Sequence, residues 1–292
     1  MRKNRITSLA LVFAIGGWIG VPLGSSGQEA TAPVAPNPEL QTVRVPFSDP
    51  SRPGLLKIGL TSGSITVRAH SEPDAVFEIA SPASRKSKDK DERKAGGMFV
   101  ISNNSFGFEV SEEDNVMDFD TDSWNKRVAI EVRVPVNTSL ELSTVNSGHI
   151  IVEGVKGELE LSNVNGRIEA TNVSGSVVAE TVNGSVKVSF SEITPDRFMA
   201  FSTLNGSIDV TFPPNVKADL HLDSGQGSIY SDFKIELDRS PVTVREDSTS
   251  RGTRVKVEKK IRGTLNGGGP EMRFETYNGS IYIRNSAGSP GS

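Results

Sequence analysis

From Leu56 onward apolar and polar residues alternate in short segments, the period expected of strands with one buried face. The pairs Ile168 and Ala170, Val186 and Val188, Ile208 and Val210, and Ile281 and Ile283 each share one parity and therefore point to one interior. Glycine-centred turns separate the segments, so the pattern predicts many short strands and no helical bundle. The same pattern recurs in LELSTVNSGHIIV from Leu140, LELSNVNGRIEA from Leu159, VVAETVNGSVKV from Val177 and MAFSTLNGSIDV from Met199. LHLDSGQGSIYS from Leu220 is a weaker copy, LKIGLTSGSITV from Leu56 an early diverged one, and MRFETYNGSIYI from Met272 a strong copy that would close the array.

Asn146, Asn165, Asn183, Asn205 and Gln226 follow one another at intervals of 19, 18, 22 and 21 residues. A single Asn-Gly is the usual mark of a two-residue hairpin turn, in which both residues take positive φ. Near-constant spacing with matched flanks predicts instead one turn per coil of a stacked β-solenoid with about 18–22 residues per coil. One coil cannot cover its own apolar face, whereas stacked coils bury a continuous core. Val173-Ser174-Gly175-Ser176-Val177 lies midway between two Asn-Gly turns and would be the opposite corner of a coil. Coils stacked in register would bring Asn165, Asn183 and Asn205 into a ladder of hydrogen-bonded amides.

Around this repeat domain, set at 41–284, the chain divides simply. Arg2, Lys3 and Arg5 precede an apolar run from Ile6 to Leu23 and the small residues Gly24 to Gly27, which together read as an export signal over 1–27. An uncleaved membrane anchor is the alternative, because the run is nearly long enough to span a bilayer. Residues 28–40 form a Pro/Ala-rich linker, and 285–292 a disordered tail. Two insertions interrupt the repeats. Ser81 to Gly97 carries six basic and three acidic residues and reads as a solvated loop. The second, near 232–271, holds one or two further strands with basic outer faces. No later segment approaches the ~20 apolar residues of a membrane helix.

Composition narrows the function classes. The 28 glycines and only 6% aromatic residues suit a turn-rich β architecture, and a net charge of −4 gives no field to attract nucleic acid. With no cysteine, disulfides, thiolate metal sites and cysteine nucleophiles are excluded. His70, His149 and His221 stand one per segment, without the clustering that a metal or catalytic site requires. Asp118, Asp120 and Asp122 open like a calcium loop, but Ser123 and Ala129 stand where an EF-hand needs Gly and Glu. Val173-Ser174-Gly175-Ser176 lacks the strand-to-helix context of a serine nucleophile. The outward repeat positions Arg167, Glu169, Lys187 and Asp209 do not match from coil to coil, as a repeated site would.

The motif [ST]-x-[VL]-N-G-[SR]-[IV]-x-[VA] behind an export signal, seen in STVNSGHI, SNVNGRI, ETVNGSV, STLNGSI and ETYNGSI, resembles the DUF4097 family of exported bacterial adhesin-like proteins. The match runs from about Leu56 to Arg284. The resemblance implies a β-helical repeat domain and carries over no catalytic residue. The expectation is a non-catalytic exported envelope protein, located in the periplasm, at the cell surface or outside the cell. It needs no cofactor or metal and presents a surface to a protein or glycan partner of the envelope or a host. The insertions at 81–97 and 232–271 are the expected seat of specificity. A tethered periplasmic structural or sensory component is the second reading, and a carbohydrate-active enzyme on a β-helix the third.

Overall fold

The computed structural model describes residues 40–80, 107–121, 127–238, 244–249, 252–257 and 261–288; the export signal, nearly all of the linker and the 81–97 loop lie outside them. Among the described residues every regular element is a strand. β1 (Leu40–Pro46), β2 (Gly54–His70) and β3 (Asp74–Ala80) come first, then β4 (Phe108–Glu113), β5 (Val116–Thr121) and β6 (Val128–Pro135). The repeats supply β7 (Thr138–Asn146), β8 (Ile150–Glu153), β9 (Lys156–Asn163), β10 (Ile168–Asn183), β11 (Val186–Ile193), β12 (Met199–Asn205), β13 (Ile208–Phe212), β14 (Ala218–Ser224) and β15 (Ile229–Ser231). The second insertion contains β16 (Ile235–Leu237), β17 (Val244–Thr249), β18 (Gly252–Val257) and β19 (Ile261–Leu265), more strands than its sequence suggested. The basic stretch expected there, residues 251–263, falls on β18, whose side chains lie outside the described residues, and on the start of β19, where Arg262 is exposed. β20 (Glu271–Asn278) and β21 (Ile281–Asn285) complete the chain.

The segments directly on either side of each Asn-Gly do not pair with each other as a hairpin would. Each pairs in parallel with its counterpart one repeat away, which excludes the hairpin reading. One ladder runs β5, first half of β2, β7, β9, second half of β10, β12, β20, β14. The other runs β6, second half of β2, β8, first half of β10, β11, β13, β21, β15. Register is exact in chemistry as well as position: Ile130, Ile65, Ile150, Ile168, Val186, Ile208, Ile281 and Ile229 form one column. The long strands β2 and β10 belong to both ladders, so all strands but β17 and β18 form one 19-stranded sheet around one core. Antiparallel strands cover the ends, with β4 on β5, β1 on β3 on β6, and β16 on β19 on β14. The molecule is thus a closed β-structure with antiparallel additions, and not a uniform array of coils.

Order in space departs from order in sequence at both ends. β2 lies between β5–β6 and β7–β8, and β20–β21 lies between β12–β13 and β14–β15. The copy from Met272 therefore does not close the array. The weak copy from Leu220 is the outer rung, and the strong C-terminal copy is wedged beneath it. Apolar match explains the choice: Met199, Met272 and Leu220 align, as do Phe201, Phe274 and Leu222. Phe201 and Phe274 are 5.0 Å apart, with Phe190 and Phe212 stacked beside them at 5.3 Å.

The corner glycines are needed for a different reason from the one the dipeptide suggests. None of Gly166, Gly184, Gly206 and Gly279 has positive φ, nor do the asparagines before them. A Cβ on Gly184 would instead collide with the carbonyl oxygen of Gly166, one on Gly206 with that of Gly184, and one on Gly279 with that of Gly206. Glycine is required because neighbouring backbones approach this closely. The true positive-φ hairpin lies elsewhere, at Asp114 (φ 53°) and Asn115 (φ 66°) between β4 and β5. The corner expected at 173–177 is a bend inside the continuous β10, at Gly175 with φ 116°.

Candidate binding surface

In each rung the corner asparagine and the apolar residue just before it both lie outside the core, after strand positions that alternate inward and outward. In β7, Leu140, Leu142 and Thr144 are buried and Val145 is 43% exposed. The same inversion occurs in each neighbour, with a polar residue inside and an apolar one outside. Thr144, Asn163, Thr181, Thr203 and Thr276 are buried, while Val182, Leu204 (49%) and Tyr277 (54%) are exposed and Val164 is half-buried.

The inward polar group has a definite task. Thr181, Thr203 and Thr276 donate Oγ1 hydrogen bonds of 2.8–2.9 Å to the carbonyls of Gly166, Gly184 and Gly206, one rung away. Thr144 does the same to Gly63 at 2.9 Å, and Asn163 Nδ2 to Gly148 at 3.1 Å. Satisfying these corner carbonyls fixes the strand phase, and the next side chain must then face solvent.

Outside, Val145, Val182, Leu204 and Tyr277 sit on β7, β10, β12 and β20, and Val164 directly follows β9, which lies between β7 and β10. At the ~4.8 Å spacing of neighbouring strands their row is about 19 Å long. Thr61 in β2 ends it on one side, because Leu60 and Ser62 flank it in register with Thr144 and Asn146. Gly225 ends it on the other and leaves room for the Tyr277 ring, with which a Cβ there would be in close contact. One flank is the predicted amide ladder. Asn165, Asn183, Asn205 and Asn278 each donate to Oδ1 of the preceding asparagine, at 3.4, 2.9, 2.8 and 2.8 Å, starting from Asn146. The amides are spent on one another, which makes this flank a structural seam.

The other flank is acidic. Ser162, Glu180, Ser202, Glu275 and Asp223 line up across β9, β10, β12, β20 and β14. With Val164, Val182, Leu204 and Tyr277 they line an open groove of about 530 Å³. Ser162 donates to Glu180 at 3.2 Å, and Arg273 stands 4.0 Å from Glu275. Among the described residues Glu160, Glu180 and Asp223 form no ion pair, so the flank keeps an excess of negative charge.

The residues singled out in the sequence are not drawn into this groove. His70 Nε2 lies 2.8 Å from the Asp74 carbonyl, His149 is exposed at a corner, and His221 lies 3.4 Å from Glu271. They stay apart. Asp118 and Asp120 are exposed on β5, and Asp122 lies outside the described residues. Arg167, Glu169, Lys187 and Asp209 occupy the outer face of the other ladder, where Glu169 pairs with Arg167 (3.5 Å) and Lys187 (3.7 Å). Asp209 holds Arg284 at 2.8 Å, and that hydrogen bond and charge raise the pKa of the guanidinium. No cluster of three metal-ligating side chains occurs among the described residues. The apolar row escaped the sequence reading, although its signal was present: Val145, Val182, Leu204 and Tyr277 are out of phase with the buried parity of their own strands.

No protein-family model matches this chain, the DUF4097 family included, and no curated protein matches it. Among solved structures it is similar to a putative cell adhesion protein from Clostridium sporogenes, at 11% identity and a TM-score of 0.46, covering 86% of this chain and 100% of that one. A putative adhesin from Bacteroides fragilis is similar at 10% identity and a TM-score of 0.32, covering 86% and 98%. A putative lipid binding protein from Parabacteroides distasonis is similar at 12% identity and a TM-score of 0.24, covering 85% and 94%. Likeness this distant transfers no binding property to the present chain.

Proposed function

We propose that this chain is a non-catalytic exported envelope protein, a short β-solenoid that offers the row Val145, Val164, Val182, Leu204 and Tyr277 to a protein or glycan partner. The observation that carries this reading is the row itself. Five outward apolar side chains on consecutive strands form a contiguous patch, and such patches mark interaction sites more often than scattered surface residues do. The parallel ladders, with partners 18–22 residues apart across the Asn-Gly corners, support the solenoid reading. The carboxylates beside the row stand in an open groove, whereas catalysis favours a site that excludes water. Rigid strands hold the row, so little ordering entropy opposes binding.

The test is capture from envelope extract and from a glycan array, comparing the chain with its Val182→Asp/Leu204→Asp variant. The variant is expected to lose the partner that the wild type retains. Equal capture by a variant that melts like the wild type overturns the reading. Protease treatment of intact cells addresses location: cleavage from outside supports surface display, and protection until the envelope is opened supports a periplasmic one.

A further inference from the structure

We infer that the partner meets the row with an amphipathic α-helix that carries basic side chains along one flank of its apolar stripe. This rests on the row being the binding surface. Pitch is the first argument. Apolar side chains recur here about every 4.8 Å along the molecule's length. A helix laid along the row presents one side chain per turn, every ~5.4 Å, and i to i+3 or i+4 steps of about 4.5 and 6 Å bracket the spacing of the rungs. An extended strand in the same direction repeats a face only every ~6.8 Å and would skip rungs. About thirteen helical residues span the ~19 Å row.

Shape is the second. The row is one residue wide and bordered by polar side chains on both sides, so it suits a line contact with a convex cylinder better than contact with a flat sheet.

Charge is the third, and it sets the orientation. Glu180, Glu275 and Asp223 lie on one flank only, while the opposite flank is the mutually bonded asparagine seam. Lysine or arginine on the matching side of the helix meets the carboxylates and steers the encounter. A second copy meeting row to row fits less well: its own row is bordered by the same acidic flank and asparagine seam, with no excess of basic groups to answer the carboxylates. An anionic lipid surface is repelled for the same reason.

The probe is a synthetic fourteen-residue helical peptide with one leucine per turn and lysines along one flank. Its controls are a peptide of identical composition with the leucines scattered round the helix, and one with glutamates replacing the lysines. Titrated by fluorescence anisotropy against the full chain, the first is expected to bind at least tenfold more tightly than either control. Val182→Asp/Leu204→Asp should weaken it at least tenfold, and Leu204→Thr, which keeps a strand-forming residue, should weaken it in the same direction. Glu180→Lys/Glu275→Lys should transfer the preference to the glutamate peptide. Equal binding of the scattered peptide, or no transfer on charge reversal, overturns the helix inference. If the peptide fails while Val182→Asp/Leu204→Asp still loses its envelope or glycan partner, the inference falls and the binding surface stands. If neither responds to the substitutions, both fall.

Discussion

The side-chain amide of Asn278 donates a 2.8 Å hydrogen bond to Oδ1 of Asn205, although 73 residues separate them. The next corner in sequence after Asn205 is that of Gln226, yet Asn278 takes the neighbouring place. The C-terminal rung is therefore the wedge that joins the outer rung to the rest of the core.

Removal of residues 271–292 should free β14 and β15, which lose their parallel partners together. Limited proteolysis is expected to cut within 213–238 in the shortened chain and to spare that stretch in the full chain. Resistance of both would show that the antiparallel β19 alone retains the outer rung.

Replacing Gly184 with alanine sets a methyl group against the Gly166 carbonyl and should cost roughly 3 kcal/mol, since the stacked backbones cannot separate locally. Gly267→Ala is the control. That residue has φ 87° with nothing within 4 Å of an added Cβ, so only the backbone strain of about 1 kcal/mol remains. Urea denaturation of both variants measures the difference.

Asn163 occupies the place that threonine takes in the other rungs, and its Oδ1 is buried without a protein partner. Asn163→Thr keeps a donor for the Gly148 carbonyl and removes the unsatisfied acceptor. The variant should be more stable by about 1 kcal/mol, read as a higher Tm. Destabilisation would show that the oxygen is satisfied in solution.

The amide ladder stabilises without binding anything. Asn183→Ala breaks two of its hydrogen bonds, to Asn165 and from Asn205, and should cost about 1–2 kcal/mol in urea denaturation while leaving partner capture unchanged.

Acid should loosen the N-terminal end first. Burial opposes ionisation of Glu112, but hydrogen bonds from the Ser48 hydroxyl and amide and from the Asn115 amide together outweigh it and hold its pKa below 4.5. Asp49 is lowered from 3.8 chiefly by hydrogen bonds from the Ser51 hydroxyl and amide. A carboxylate with a depressed pKa contributes stability above its unfolded value and loses it as pH falls through the folded one. The 47–54 segment should therefore lose protection against hydrogen exchange, measured relative to the intrinsic rate at each pH, below pH 4.5, and Glu112→Gln should flatten that dependence.

Much of the fold was legible in the repeats. The parity of Ile168 and Ala170, Val186 and Val188, and Ile208 and Val210 determined the buried face, and the spacing of Asn165, Asn183 and Asn205 determined both the stacking and the amide ladder. Both are properties of adjacent, similar segments, for which local pattern and final neighbour coincide. Three things required the tertiary structure. The order of rungs at the ends depends on which apolar surfaces match across long stretches of chain, as Met272 and Phe274 do with Met199 and Phe201. The need for glycine at the corners comes from the backbone of another rung, which no dipeptide reveals. The outward row from Val145 to Tyr277 exists because buried threonines bond the corner carbonyls of their neighbours, so a partner one rung away decides which side of the strand faces water.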